Sequence, residues 1–107
     1  MGAASRRKGA SYERELAREF TAAGIPARRG GHRQTQQADD AGDVVLAGPL
    51  HIEAKRCERI ELPKWLRQAT RDCPGDRVPA VVFRRSREQS WAVVPLKFLI
   101  ELLEGKG

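Results

Sequence analysis

Hydrophobic and polar positions change period several times along this 107-residue chain. Leu16, Ala17, Phe20 and Ala23 recur at helical spacing, with Gly9 and Glu13 on the same face. Ser11 is expected to cap that helix, Glu13 and Glu15 to lie in its first turn, and Gly24 with Pro26 to end it. Ile25 to Arg29 reads as a short edge strand. Gly30 to Gly42 has no period and reads as a polar loop. Asp43 to Leu46 and Leu50 to Arg56 are two strands folded into a hairpin by Gly48-Pro49. Arg59 to Glu61 is expected to be extended.

Pro63 suits the start of a second helix whose apolar face is Leu62, Trp65, Leu66 and Ala69, stopped by Cys73-Pro74-Gly75. Val78 to Phe83 is a buried-type strand, Arg84 to Gln89 a charged turn, and Trp91 to Val94 a further strand. Leu96 to Leu103 forms a last amphipathic helix. The order is α-β-β-β-α-β-β-α, an α/β fold with a mixed central sheet flanked by helices. A flexible basic arm is expected over residues 1–9 and one domain over residues 10–104.

Charge narrows the function. Twenty Lys and Arg against fourteen Asp and Glu leave a net charge of +6, and fifteen of the cations are Arg. Such a balance in a small domain is the electrostatic footprint of nucleic-acid binding, and Arg suits bidentate phosphate contacts. No apolar run approaches the ~18 residues a membrane span needs. The basic N-terminus is followed by no apolar stretch of secretory type. Cys57 and Cys73 are too few for a zinc site, so reduced thiols in a cytoplasmic, DNA-associated setting are expected.

The chemistry concentrates in Glu13, Asp43, Glu53 and Lys55. Glu53 and Lys55 are two apart on a strand and therefore share a face. The hairpin folds Asp43 back beside Glu53, and two adjacent carboxylates are best tolerated when a divalent cation bridges them. Glu13 places a charge on the apolar face of the first helix, which burial makes costly unless it is paired. Hard carboxylate oxygens hold Mg²⁺ while leaving positions for water and phosphate oxygen. Lys55 beside them can orient a water and stabilise charge in phosphodiester hydrolysis.

Gly42-Asp43 followed by Glu53-Ala54-Lys55 resembles the signature of the PD-(D/E)xK nucleases, with Gly42 standing where Pro is usual. Within that superfamily the layout is most similar to the archaeal and phage Holliday junction resolvases of DNA recombination. Lys8 to Leu16 resembles their opening helix, which supplies a catalytic Glu. Arg28-Arg29-Gly30-Gly31 resembles their basic, glycine-rich entry to a loop, and Ile52 to Lys55 their catalytic strand. Trp91 to Val94 resembles their late strand.

The resemblance implies Asp43 and Glu53 as metal ligands, Lys55 as the catalytic lysine and Glu13 as a helix-borne acid near the metal. Asp40 is the alternative ligand to Asp43, which is preferred for its place at a strand start. Thr35 is the nearest match to a loop hydroxyl of the resolvases, and Gln68 to a glutamine that other branches place near the site. The implied cofactor is Mg²⁺, with Mn²⁺ as substitute, and the implied partners are branched DNA and a second copy of the chain.

The expected DNA-binding groups are Arg6, Arg7, Lys8, Arg28, Arg29, Gly30, Gly31, His32, Arg33 and Arg56. His51 is expected to be an ordinary surface or hairpin residue, and Trp65 and Trp91 to be core. Leu96, Phe98, Leu99, Ile100, Leu102 and Leu103 cover more than one face of the last helix. That surplus fits either a second subunit or a helix wedged against the sheet on two sides. The reading is a structure-specific DNA endonuclease that resolves four-way junctions. Its alternatives are another nuclease of the superfamily, cutting nicked, branched or duplex DNA, and a non-catalytic nucleic-acid-binding module.

Overall fold

The middle strand of the sheet, β3 (Leu50–Arg56), organises the molecule. In the computed structural model, residues 3–30 and 43–105 are described, with backbone alone for residues 3–7. The hairpin turn at Gly48, whose φ of 115° is open to glycine, returns β3 antiparallel to β2 (Val44–Leu46). β2 in turn pairs antiparallel with β1 (Ala27–Arg29). On its other side β3 runs parallel to β4 (Val78–Arg84), and β5 (Trp91–Val93) closes that edge antiparallel. The sheet order is β1-β2-β3-β4-β5. Because β3 and β4 are parallel, the chain must cross over between them, and α2 (Leu62–Asp72) makes that crossing.

Strand alternation divides the interior into two cores. Ile52, Val44, Ala80 and Val82 pack with Tyr12 and Leu16 of α1 (Ala3–Ala22). Val81 packs with Trp65 and Ala69 of α2, and the Trp65 and Phe83 rings lie 5.7 Å apart. The expected α-β-β-β-α-β-β-α order is the observed one, closed by α3 (Leu96–Leu103).

Four expectations are corrected. The helix begins at Ala3, not at Ser11, so the arm expected over residues 1–9 is helical from Ala3. The run Ala-Ala-Ser-Arg-Arg-Lys contains good helix formers, and Gly9 and Ser11 sit inside the helix at modest cost instead of starting it. The C-terminal end is as expected: Gly24 takes φ 90° and Ile25 N donates to Phe20 O at 2.9 Å.

Arg59 to Glu61 joins no strand. Its carboxylate and cations serve local pairs instead, Arg59 with Glu61 and Lys64 with Glu61. Trp91 is 54% exposed, not core, because α1 lies mainly over β1 to β3 and α2 over β3 and β4. Edge strand β5 is left largely uncovered. The wedged reading of α3 also fails: the helix contains no buried residue, and Leu96, Leu99, Ile100, Leu102 and Leu103 are all exposed. Both cysteines are free thiols. No helix among the described residues is long and apolar enough to cross a membrane.

Candidate active site

The face of β3 turned to α2 carries His51, Glu53 and Lys55, three polar side chains where the opposite face carries Leu50, Ile52 and Ala54. Asp43 reaches them from the neighbouring strand. Its N–H donates to Ile52 O at 2.8 Å, and its Oδ2 accepts from Ala54 N at 2.8 Å. The backbone of β3 thus clamps Asp43 beside Glu53, the juxtaposition the hairpin predicts.

Glu53 is 8% exposed. Burial, then the charge of Asp43 and a hydrogen bond with it, push its carboxyl up to about 8, against the opposing pull of Lys55. Asp72 at the end of α2 adds in the same upward sense. Lys55 is fixed by α2, since its Nζ donates to Gln68 Oε1 at 3.1 Å. The structure therefore brings Gln68 to the candidate lysine.

Glu13 is also buried, and with the helix starting at Ala3 it cannot be read as a first-turn acid. Its Oε1 accepts from Arg29 Nε at 3.1 Å, which offsets the buried charge. Among the described residues no three His, Cys, Asp or Glu side chains converge into a group able to hold a metal. For Glu13, expected as a third ligand beside Asp43 and Glu53, the described geometry gives a guanidinium neighbour, that of Arg29. The donors actually brought together are two hard carboxylates. Two carboxylates completed by water and phosphate oxygens are a donor set that fits Mg²⁺, which rarely takes an all-protein cage. A cation held there would offset the Asp43 charge that, after burial, raises the Glu53 carboxyl.

The basic groups divide. Lys8 and Arg28 are exposed on α1 and β1. Arg29 is engaged by Glu13, and Gly30 is buried, its N–H donating to Asp43 O at 2.8 Å. Arg56 is turned onto protein: it pairs with Glu58 at 2.9 Å and donates to Ser86 Oγ at 3.1 Å. With the Ser86 hydrogen bonds, Arg56 holds the exposed Glu58 carboxyl down at about 2. The side chains of Arg6 and Arg7, and the residues Gly31, His32, Arg33, Thr35 and Asp40, lie outside what the structure describes.

Sequence reasoning missed His51. It is fully buried, and its Nδ1 lies 3.7 Å from Glu53 Oε2. The available signal was its position, two residues before Glu53 and hence on the same face.

The family model described as "Phage putative PDDEXK endonuclease" matches residues 4–106. Among solved structures the chain is similar to the Hjc Holliday junction resolvase of Archaeoglobus fulgidus, an archaeal hyperthermophile. That likeness has a TM-score of 0.54 and 21% identity over 81% of this chain and 75% of that one. No protein with a curated function matches the chain by sequence.

Proposed function

The chain belongs to the phage PDDEXK endonuclease family, and from that premise we propose that it is a Mg²⁺-dependent endodeoxyribonuclease that resolves four-way DNA junctions as a homodimer. One observation carries the catalytic part of this reading: the Asp43–Glu53 carboxyl pair, with Glu53 buried, shares its site with Lys55, which Gln68 holds in place. Such an acid pair in a chain of net charge +6 fits a polyanionic substrate.

Asp43 and Glu53 would hold the cation; Mn²⁺, of like donor preference, would substitute. Bound there, it supplies charge against the phosphodiester and acidifies a water. Lys55, its ammonium steadied by Gln68, donates hydrogen bonds that orient the attacking water and offset charge gathering on the scissile phosphate. Arg29, oriented by Glu13, and exposed Lys8 and Arg28 contact flanking phosphates. Arg6, Arg7, Gly31, His32 and Arg33 extend that phosphate-contacting set, and Thr35 supplies a hydroxyl. Arg56, already held by Glu58 and Ser86, is a weaker member of it.

The junction and the dimer rest on separate support. The fold is shared with a Holliday junction resolvase. Resolution needs two cuts of like polarity, and each chain brings one acid pair, so a two-fold dimer matches the substrate's pseudo-symmetry. The bare apolar surface of α3 is the surface such a second copy would cover. The deciding experiment incubates the protein with labelled four-way junction, nicked duplex, intact duplex and single strand, with Mg²⁺ and with EDTA. Paired, Mg²⁺-dependent cuts confined to the junction are expected. Equal cutting of linear duplex would move the reading to a general nuclease of the same family, and binding without cutting to a non-catalytic module. Replacing Leu99, Ile100 and Leu103 with Lys should shift sedimentation from dimer to monomer and turn paired cuts into single nicks.

A further inference from the structure

His51 occupies an unusual place for an imidazole. It has no exposed surface, and among the described residues neither Nδ1 nor Nε2 has a hydrogen-bond partner. A neutral imidazole always carries one N–H donor and one acceptor nitrogen. Native interiors rarely leave such groups unmet, and where they do, the group usually serves another purpose. The apolar cluster on that side of the sheet is Val81 with Trp65 and Ala69 of α2, which offer no side-chain acceptor. Its register neighbour on β4 is Pro79, which has no N–H. Among the described residues its carboxylate neighbour is Glu53, with Oε2 at 3.7 Å from Nδ1. That separation is too long for a hydrogen bond, and a shift of less than about 1 Å closes it.

We propose that His51 is a positioning residue for Glu53: Nδ1–H donates to Glu53 Oε2 and so orients the carboxylate toward the cation it shares with Asp43. The inference rests on the reading of Asp43 and Glu53 as the cation-holding pair. Carboxylates that ligate metals are commonly held by a hydrogen bond from a second residue, whose loss weakens metal affinity about 10–100-fold. The position of His51 meets the demand for such a donor. It is on the same strand, one pleat repeat from Glu53, and buried where water cannot compete.

The test measures cation binding directly, by calorimetry and by thermal shift in Mn²⁺ and Ca²⁺ without DNA, for wild type, His51→Leu, His51→Asn and His51→Gln. The Asn amide can replace Nδ1 as donor, whereas the Gln amide lies nearer the place of Nε2. His51→Leu should weaken cation binding at least 10-fold, and His51→Asn should recover most of it, with His51→Gln intermediate. In cleavage the loss should appear as a higher Mg²⁺ concentration for half-maximal rate, more than as a lower rate at saturation. Unchanged cation affinity in His51→Leu would overturn the proposal. Should that variant not fold, equal affinities of the Asn and Gln variants would overturn it instead. Asp43→Asn and Glu53→Gln are run alongside. If they leave cation binding intact, the cation reading itself fails, an outcome distinct from failure of His51 alone.

Discussion

The two faces of β3 make opposite use of one stretch of chain. Leu50, Ile52 and Ala54 lie against α1 with Tyr12, Leu16 and Val82, where burial costs nothing polar. His51, Glu53 and Lys55 lie against α2, where an imidazole and a carboxyl are buried without full compensation. The first face favours the fold, and the second takes back part of that stability to keep charge out of water. The apolar face thereby holds in place a polar one that would not assemble unaided.

The sharpest way to break this contrast is to exchange their outcomes. Glu53→Gln, Asp43→Asn or Lys55→Ala should each lower single-turnover cleavage at least about 1,000-fold while leaving DNA affinity within a few-fold, because phosphate contacts supply most of the affinity. Ile52→Ala, one position from Glu53, should cost about 2–5 kcal/mol of stability, with activity per folded molecule near wild type. Denaturant melts and cleavage assays on the same samples check both. Normal cleavage by any of the three site variants would remove that residue from the chemistry.

A second effect concerns pH. Glu53 has a folded carboxyl raised to about 8 from an ordinary value of 4.5. The folded state therefore keeps a proton that the unfolded state gives up above pH 4.5. Stability contributed by that proton is complete below pH 4.5, falls as pH rises toward 8, and changes no further above it. In EDTA, Glu53→Gln should raise Tm at pH 8.5 by at least about 4 °C, a change of roughly 1 kcal/mol in a domain of this size, and by almost nothing at pH 4. A difference that does not vary with pH would mean that Glu53 ionises freely. Added Mn²⁺ should stabilise the wild type most at the high end of the range, because the cation competes with that proton.

The pairing of Glu13 with Arg29 is the next largest. Arg29→Met leaves a buried carboxylate facing the loss of its guanidinium and should cost about 1–3 kcal/mol. Glu13→Gln should cost less, since the cation it releases is part-exposed. A double-mutant cycle showing no coupling would make the pair incidental. The smallest effect is at exposed Arg28, where Arg28→Ala should flatten the salt dependence of DNA binding by about one unit of log–log slope.

Most of this arrangement was legible because it follows from short periods. Alternation along β3 places Glu53 and Lys55 together, and the Gly48-Pro49 turn brings back Asp43. Gln68 was legible as a candidate, but its hydrogen bond to Lys55 depends on how α2 lies across β3, which helical periodicity does not specify. The start of α1 was misread because Gly9 and Ser11 look like a boundary, while packing and good helix formers upstream carry the helix through them. Trp91 and His51 exchanged their expected places for one reason. Burial at a position depends on which helix covers that part of the sheet, and no local pattern records that. A tryptophan on uncovered β5 is exposed, and a histidine beside the hairpin is enclosed.

The hydrogen bond from Gly30 N to Asp43 O continues the β1–β2 ladder by one step and ties the two ends of segment 31–42 together at the edge of the acid pair. Any sequence between those ends is closed by the same bond, and lengthening it costs only about 0.6 kcal/mol per doubling. The sheet and the acids are therefore insulated from changes in that insert. Segments of different length can occupy that place without rebuilding the strand that carries Glu53 and Lys55. Grafting segments of varied length between Gly30 and Asp43 should leave the melting temperature nearly constant.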